Sequence, residues 1–182
     1  RHGQRLEDAI REIAATGAFA QSSVTVYGRL NVTVESQKVG DDDRQWAVQD
    51  NRSRIGFKGT EDLGGGLKAG FQIEHGFDAS NGTANGGTTF WNRQSEVNLS
   101  GAFGKVRLGN FFPGSYFATA DYISMHNHDT GDSSDSLYAF GPFTTANKVG
   151  YVSPTMGGFQ FEASVAEGGA GVERTYDLAA NY

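Results

Sequence analysis

Cysteine is absent from the 182 residues, and proline occurs only three times. The first absence excludes a disulfide framework and any thiolate-ligated metal. It suits an exported protein that does without crosslinks, although many cytosolic chains lack cysteine as well. Long apolar runs are missing too: mean hydropathy is −0.45, and nothing approaches the roughly 18 consecutive apolar residues of a membrane-spanning helix. That excludes helical spans and nothing more. A transmembrane strand needs only about 9–11 residues of alternating character, so its hydropathy can look soluble. Nor is there an excess of positive charge. The 15 Lys and Arg stand against 21 Asp and Glu, a net charge of −6, which argues against nucleic acid as a partner, because phosphate binding needs clustered cations. What the chain has in quantity is glycine, 26 residues, and aromatics, 12%.

Residues 1–20 stand apart from the rest of the chain. Ala18-Phe19-Ala20 before Gln21 has the A-x-A form of a signal-peptidase site. Residues 1–13 are polar and helix-forming, however, where a secretory signal needs an apolar region. Residues 14–20 therefore read as the tail of a signal peptide and 1–13 as a non-native leader, with the mature chain, 21–182, expected to begin at Gln21.

From Ser22 onward the period is two, the signature of half-exposed strands. Strands are expected at 24–34, 51–60, 67–77, 91–101, 105–111, 147–153 and 159–166, with an eighth beginning near Arg174. Within 24–34 the even positions are apolar or Gly and the odd ones mostly polar; within 67–77, Leu67, Ala69, Phe71 and Ile73 oppose Lys68, Gly70, Gln72 and Glu74. Short turns at 63–66, 102–104 and 154–158 alternate with long polar loops, the asymmetry of an outer-membrane barrel with short periplasmic turns. Alternation by itself does not say which face meets water. A soluble sandwich would bury the apolar faces and leave Arg29, Arg52, Arg54, Lys68, Glu74, Lys105, Arg107, Lys148 and Glu162 as ordinary surface.

Motifs speak where periodicity is silent. Ser22-Ser23-Val24-Thr25-Val26-Tyr27-Gly28 resembles the opening strand of the Gram-negative general porins. The run from Ser53-Arg54-Ile55-Gly56-Phe57-Lys58-Gly59 through Leu63-Gly64-Gly65-Gly66-Leu67-Lys68-Ala69 is a long and specific match to the same family. Asn92-Arg93-Gln94-Ser95 and Phe103-Gly104-Lys105-Val106-Arg107-Leu108-Gly109 resemble its fourth and fifth strands, and Tyr151-Val152-Ser153-Pro154 with Gly157-Gly158-Phe159 its next hairpin. The resemblance implies an all-β fold, a transmembrane antiparallel β-barrel of which this chain holds about the N-terminal eight strands of sixteen. It further implies a homotrimer in outer-membrane lipid that passes small hydrophilic solutes and ions, with a third loop, here 112–145, folded inward to narrow the pore. The alternative is a small, complete eight-stranded barrel with a surface-binding or structural role; such a barrel is filled by its own side chains.

In that family, wall cations face loop acids across the constriction, and rings of charge are a general means of pore selectivity. Arg54 and Arg93 match wall positions. Arg54 also points inward by alternation, whereas Arg93 shares phase with Val97 and Leu99 and needs an irregular strand start to reach the lumen. Arg29, Arg52 and Arg107 are inward by phase alone. The facing acids are drawn from Asp121, Asp129, Asp132 and Asp135. Any one of these charges also suits a plain solvated wall or loop. Asn110 and Thr144-Thr145 stand where relatives often carry a further base, which thins the positive wall and speaks against strong anion selectivity. His126-Asn127-His128-Asp129 with Asp121 holds metal-ligand types at a spacing of no standard motif, so no metal and no cofactor are expected. No nucleophile–base pattern or carboxylate pair suggests an enzyme.

Overall fold

The structure, a computed structural model, describes residues 23–85, 87, 89–119, 146–167 and 173–182. Eleven strands and one short helix follow one another along these residues. They are β1 (Ser23–Arg29), β2 (Val32–Gln37), β3 (Gln45–Asp50), β4 (Arg54–Gly64), β5 (Leu67–Asp78), β6 (Thr83–Ala84), β7 (Gln94–Gly101), β8 (Gly104–Asn110), α1 (Gly114–Ala118), β9 (Lys148–Val152), β10 (Gln160–Ala166) and β11 (Thr175–Asn181). Eight of the strands form one antiparallel sheet in the order β1-β4-β5-β7-β8-β9-β10-β11, with β6 attached to β5, while β2 and β3 pair separately as a ribbon. β1 and β11 lie at opposite ends of the sheet and are not paired with each other, so the described strands do not close into an eight-stranded barrel.

The register keeps one phase across the whole sheet. Tyr27 faces Gly56, Gly56 faces Glu74, Gln72 faces Glu96, Asn98 faces Arg107, Arg107 faces Gly150, Gly150 faces Ser164 and Ser164 faces Asp177. Because side chains alternate with period two, one face carries these polar groups and the other carries Val26, Phe57, Phe71, Val97, Leu108, Tyr151, Phe161 and Leu178. Burial then separates the two readings that alternation left open. The apolar face is the uncovered one: Val26 is 63% exposed, Val97 56% and Leu178 79%. The sheltered side chains are polar, including Glu74, Gln94, Glu96, Lys148 and Ser164. Such an arrangement is inside-out for water and right for lipid, where only apolar groups tolerate exposure and each strand satisfies its backbone through its neighbours.

Aromatic side chains mark both ends of the apolar band. At one end Phe57 meets Trp91 edge-on at 6.3 Å, and Phe90 stacks on His75 at 4.5 Å. At the other, the Tyr151 hydroxyl donates to the Phe103 carbonyl at 2.6 Å, and Phe159 packs on Tyr182 at 4.7 Å. Amphipathic rings favour the boundary between hydrocarbon and headgroups. Along β5 the stretch from Leu67 to His75 is about nine residues, the length that a tilted strand needs to cross.

Most sequence boundaries shift by a few residues. The strand expected at 91–101 begins at Gln94, and those at 105–111 and 159–166 run Gly104–Asn110 and Gln160–Ala166. Between β4 and β5, Gly64, Gly65 and Gly66 all take φ between 61 and 83°, which only glycine adopts without strain. Two differences are larger. The strand expected over 24–34 is interrupted at Leu30-Asn31, and the stretch 38–50, expected as loop, supplies β3. Pairing shows why. Arg29 faces Arg54 in one register and Val32 faces Asp50 in the next, so Arg52 and Ser53 together stand opposite the single residue Leu30. This is a β-bulge, with Arg52 at φ 62°. Asn31 and Asn51 hold it: Asn51 N–H donates to the Asn31 carbonyl at 2.8 Å, and Asn31 N–H to Ser53 Oγ at 3.0 Å.

Candidate functional site

The bulge places the first cluster of charge. Arg29 and Arg54 sit directly opposite each other on the polar face, a like-charge pairing that is unfavourable alone. Backbone carbonyls turned inward by the bulge offset it. Arg29 donates to the Asn51 carbonyl at 3.2 Å and the Arg52 carbonyl at 3.5 Å, and Arg54 donates to the Arg52 carbonyl at 3.4 Å. A carboxylate completes the cluster. Glu74 on β5 lies 3.8 Å from Arg54 and 2.5 Å from Arg93. Its neighbour on the same face is Gln72, which donates to the Tyr27 hydroxyl at 2.7 Å.

Arg93 reaches this cluster despite its sequence phase, because it precedes β7 in a bend. Its stem passes close over Gly76, where a Cβ would meet Arg93 Cδ at 3.0 Å, and its guanidinium lies 5.4 Å from the centre of the Phe112 ring. Arg52 lies in the bulge, outside any strand, so alternation does not orient it; its side chain is exposed and its carbonyl accepts from Arg29 and Arg54. Asn110 also stands off the polar phase: its register opposite Ser95 matches that of Leu108, and its amide donates to the Trp91 carbonyl at 3.2 Å.

Arg107 belongs to a second cluster. It bonds Glu96 through Nε at 2.8 Å and Nη2 at 2.6 Å, and Glu162 through Nη1 at 3.1 Å. These charge-assisted pairs fix the guanidinium plane, which lies 4.1 Å over the Phe111 ring. Phe111 is fully buried, Lys148 approaches the same ring at 4.8 Å, and the Lys148 ammonium donates to the Phe111 carbonyl at 3.3 Å. Gly150 makes room for the ring, since a Cβ there would lie 2.9 Å from it. α1 rests on β10 and β11, and Gln72, Gln94, Glu96, Arg107, Glu162 and Phe117 line a cavity of about 510 Å³ beside the second cluster.

The two clusters differ in charge. Among the described residues, Arg29, Arg54 and Arg93 gather around Glu74 with Asp50 nearby, whereas Arg107 and Lys148 stand among Glu96, Glu162 and Asp177. Sequence reasoning had assigned acids only to the loop. Asp121, Asp129, Asp132 and Asp135 lie outside the described residues, as do His126 and His128. The wall acids were findable by phase, because Glu96 and Glu162 oppose apolar neighbours in regular strands. No group of three or more His, Asp or Glu placed to hold a metal occurs among the described residues. The site offers fixed charges beside water, and no nucleophile with an activating base among the residues that line it.

Comparison with known proteins agrees with this architecture. The family model of the Gram-negative porins matches residues 9–182. The chain is 36% identical over 167 residues to outer membrane porin protein 32 of Delftia acidovorans, covering 83% of this chain and 46% of that protein. It is 42% identical over 105 residues to the major outer membrane protein P.IB of Neisseria meningitidis serogroup B, covering 53% of this chain and 30% of that protein. Among solved structures, an anion-selective porin from Comamonas acidovorans superposes with a TM-score of 0.62 at 30% identity, over 81% of this chain and 47% of that one. The chain thus spans at most about half the length of these relatives. A sheet that shows lipid its apolar face and shelters its charges, matched over almost its whole length by one family, leaves a single conclusion: this chain belongs to the Gram-negative porins of the outer membrane.

Proposed function

We propose that the chain builds part of the wall of a water-filled channel through which small hydrophilic solutes and ions diffuse passively, and that the channel works as a homotrimer. One observation carries the reading: every charged side chain of the two clusters lies on the same face of the sheet, opposite the exposed apolar band. A soluble sandwich would segregate its residues in the same way but cover the apolar face, whereas here the apolar face is the exposed one and the charges are sheltered. Arg29, Arg54 and Arg93 form the cationic side of the constriction, with loop acids from 112–145 facing them. Cations fixed on a low-dielectric wall raise the local anion concentration, and Glu74 tempers the effect.

The test is the zero-current potential of the intact protein in planar bilayers under a salt gradient. Arg54→Gln with Arg93→Gln keeps amide donors for Glu74 but removes two charges. The potential should move toward cation preference, more at low salt, since the Debye length grows from about 10 Å at 0.1 M to about 30 Å at 0.01 M. Lys68→Gln, on the same face but beside the short turn, is the comparison and should shift it less. Arg107→Gln is a poor comparison, because it would strip Glu96 and Glu162 of their partner. An unchanged potential in the double variant would remove these two arginines from the constriction.

A further inference from the structure

The chain leaving β8 turns across the polar face, and its first described turn is tied down at both ends. On one side the Phe112 ring lies beneath Arg93. On the other, Ser115 donates to the Asp177 carboxylate of β11 twice, from its backbone N–H at 3.2 Å and from its hydroxyl. Gly114 sits so near Glu162 of β10 that a Cβ would fall 2.8 Å from its carboxyl carbon. Phe112, Tyr116 and Phe117 form one ring cluster, with Phe112 and Tyr116 stacked at 5.7 Å and Phe117 edge-on to Tyr116 at 5.4 Å. Phe117 in turn lines the cavity opposite Gln72 and Gln94. Pulling Ser115 from Asp177 would therefore move an aromatic wall of the cavity.

We propose that Asp177 is a positioning residue for the bore: by holding Ser115 it pins the aromatic foot formed by Phe112, Tyr116 and Phe117 across the lumen, and so sets its width. This rests on the channel reading. The helix is too short to stay put unaided, at five residues with no side-chain cap. Its neighbours on the wall supply the rest: Glu162 and Asp177 carry negative charge, Lys148 and Arg107 positive, and a carboxylate is the one group here that accepts both Ser115 donors at once.

Ser115→Ala removes the hydroxyl donor and leaves every lumenal charge in place. In single-channel recordings of the intact protein, the foot should undock more often, by roughly 10- to 100-fold for one hydrogen bond to an ionised acceptor. The trace should show added open-channel noise and brief sublevels, with an unchanged reversal potential. Asp177→Asn keeps an acceptor but loses the charge, so it should shift the reversal potential toward anions with a smaller change in noise. In an intact protein whose remaining cysteines, if any, are replaced, Ser115→Cys with Asp177→Cys can be bridged by a short cleavable thiol crosslinker. Bridging should restore a quiet trace, and cleavage should bring the noise back. A conducting wild type whose Ser115→Ala and unbridged cysteine variants are as quiet as itself would overturn the positioning role. A wild type that does not conduct would instead overturn the channel reading beneath it.

Discussion

At the scale of single residues, the polar face is organised by what sits beside each charge. Arg54 was legible because a regular strand carries it and period two alone orients it. Arg93 was not, since its bend lies outside β7 and its side chain is placed by long-range contacts with Glu74, Gly76 and Phe112. Arg52 shows the converse: one extra residue in the strand cancels the phase on which its inward assignment depended. Phe111 gave no signal as a site residue, yet it is the platform under Arg107 and Lys148. A substitution at its seat should therefore be felt. Gly150→Val would drive a side chain into the ring from 2.9 Å, and overpacking of this kind costs about 1–3 kcal/mol. Denaturant unfolding of the reconstituted protein should show a loss of that size, and an unchanged midpoint would mean that Phe111 swings away freely.

At the scale of elements, the strands obey two different solvents on two faces, and charge placed on each should read them separately. Val97, near the middle of β7, is exposed on the apolar face. Thr60 on β4 stands on the polar face opposite Gly70. Val97→Lys should cost about 2–4 kcal/mol, the depth-dependent penalty of a lipid-facing cation near the midplane. Thr60→Lys should leave folding within about 0.5 kcal/mol, the usual range for a surface substitution. Equal effects in lipid vesicles would mean that the faces are misassigned. The bulge at Arg52-Ser53 is the element that sequence periodicity overlooked. It lets the apolar residues of β2 and β3 pair as Val34 with Val48, one register away from the pairing of β1 with β4.

At the scale of the whole molecule, the sheet is an open arc whose end strands find no partner among the described residues, in a chain that covers 46% of its Delftia relative. Unpaired edges are costly in hydrocarbon, and the channel reading needs the arc to close with further strands. The channel reading also has the loop of 112–145 narrowing the pore. Deleting residues 131–140 from the intact protein should raise single-channel conductance in planar bilayers, and unchanged conductance would mean that this loop does not narrow the pore.

The sequence by itself determined the strand period, the short turns and the family motifs, because these are local: a side chain's phase and a glycine's permitted φ depend on a few neighbours. It also determined which residues share a face wherever a strand is regular, as for Arg54, Glu96 and Glu162. Only the tertiary structure decided which face is sheltered, because burial depends on what lies across the sheet and not along the strand. It alone brought Arg93 to Glu74 and Ser115 to Asp177, partners 19 and 62 residues apart. Contacts at such separation leave no periodic trace in a chain, since they depend on where a bulge and a bend let the backbone turn.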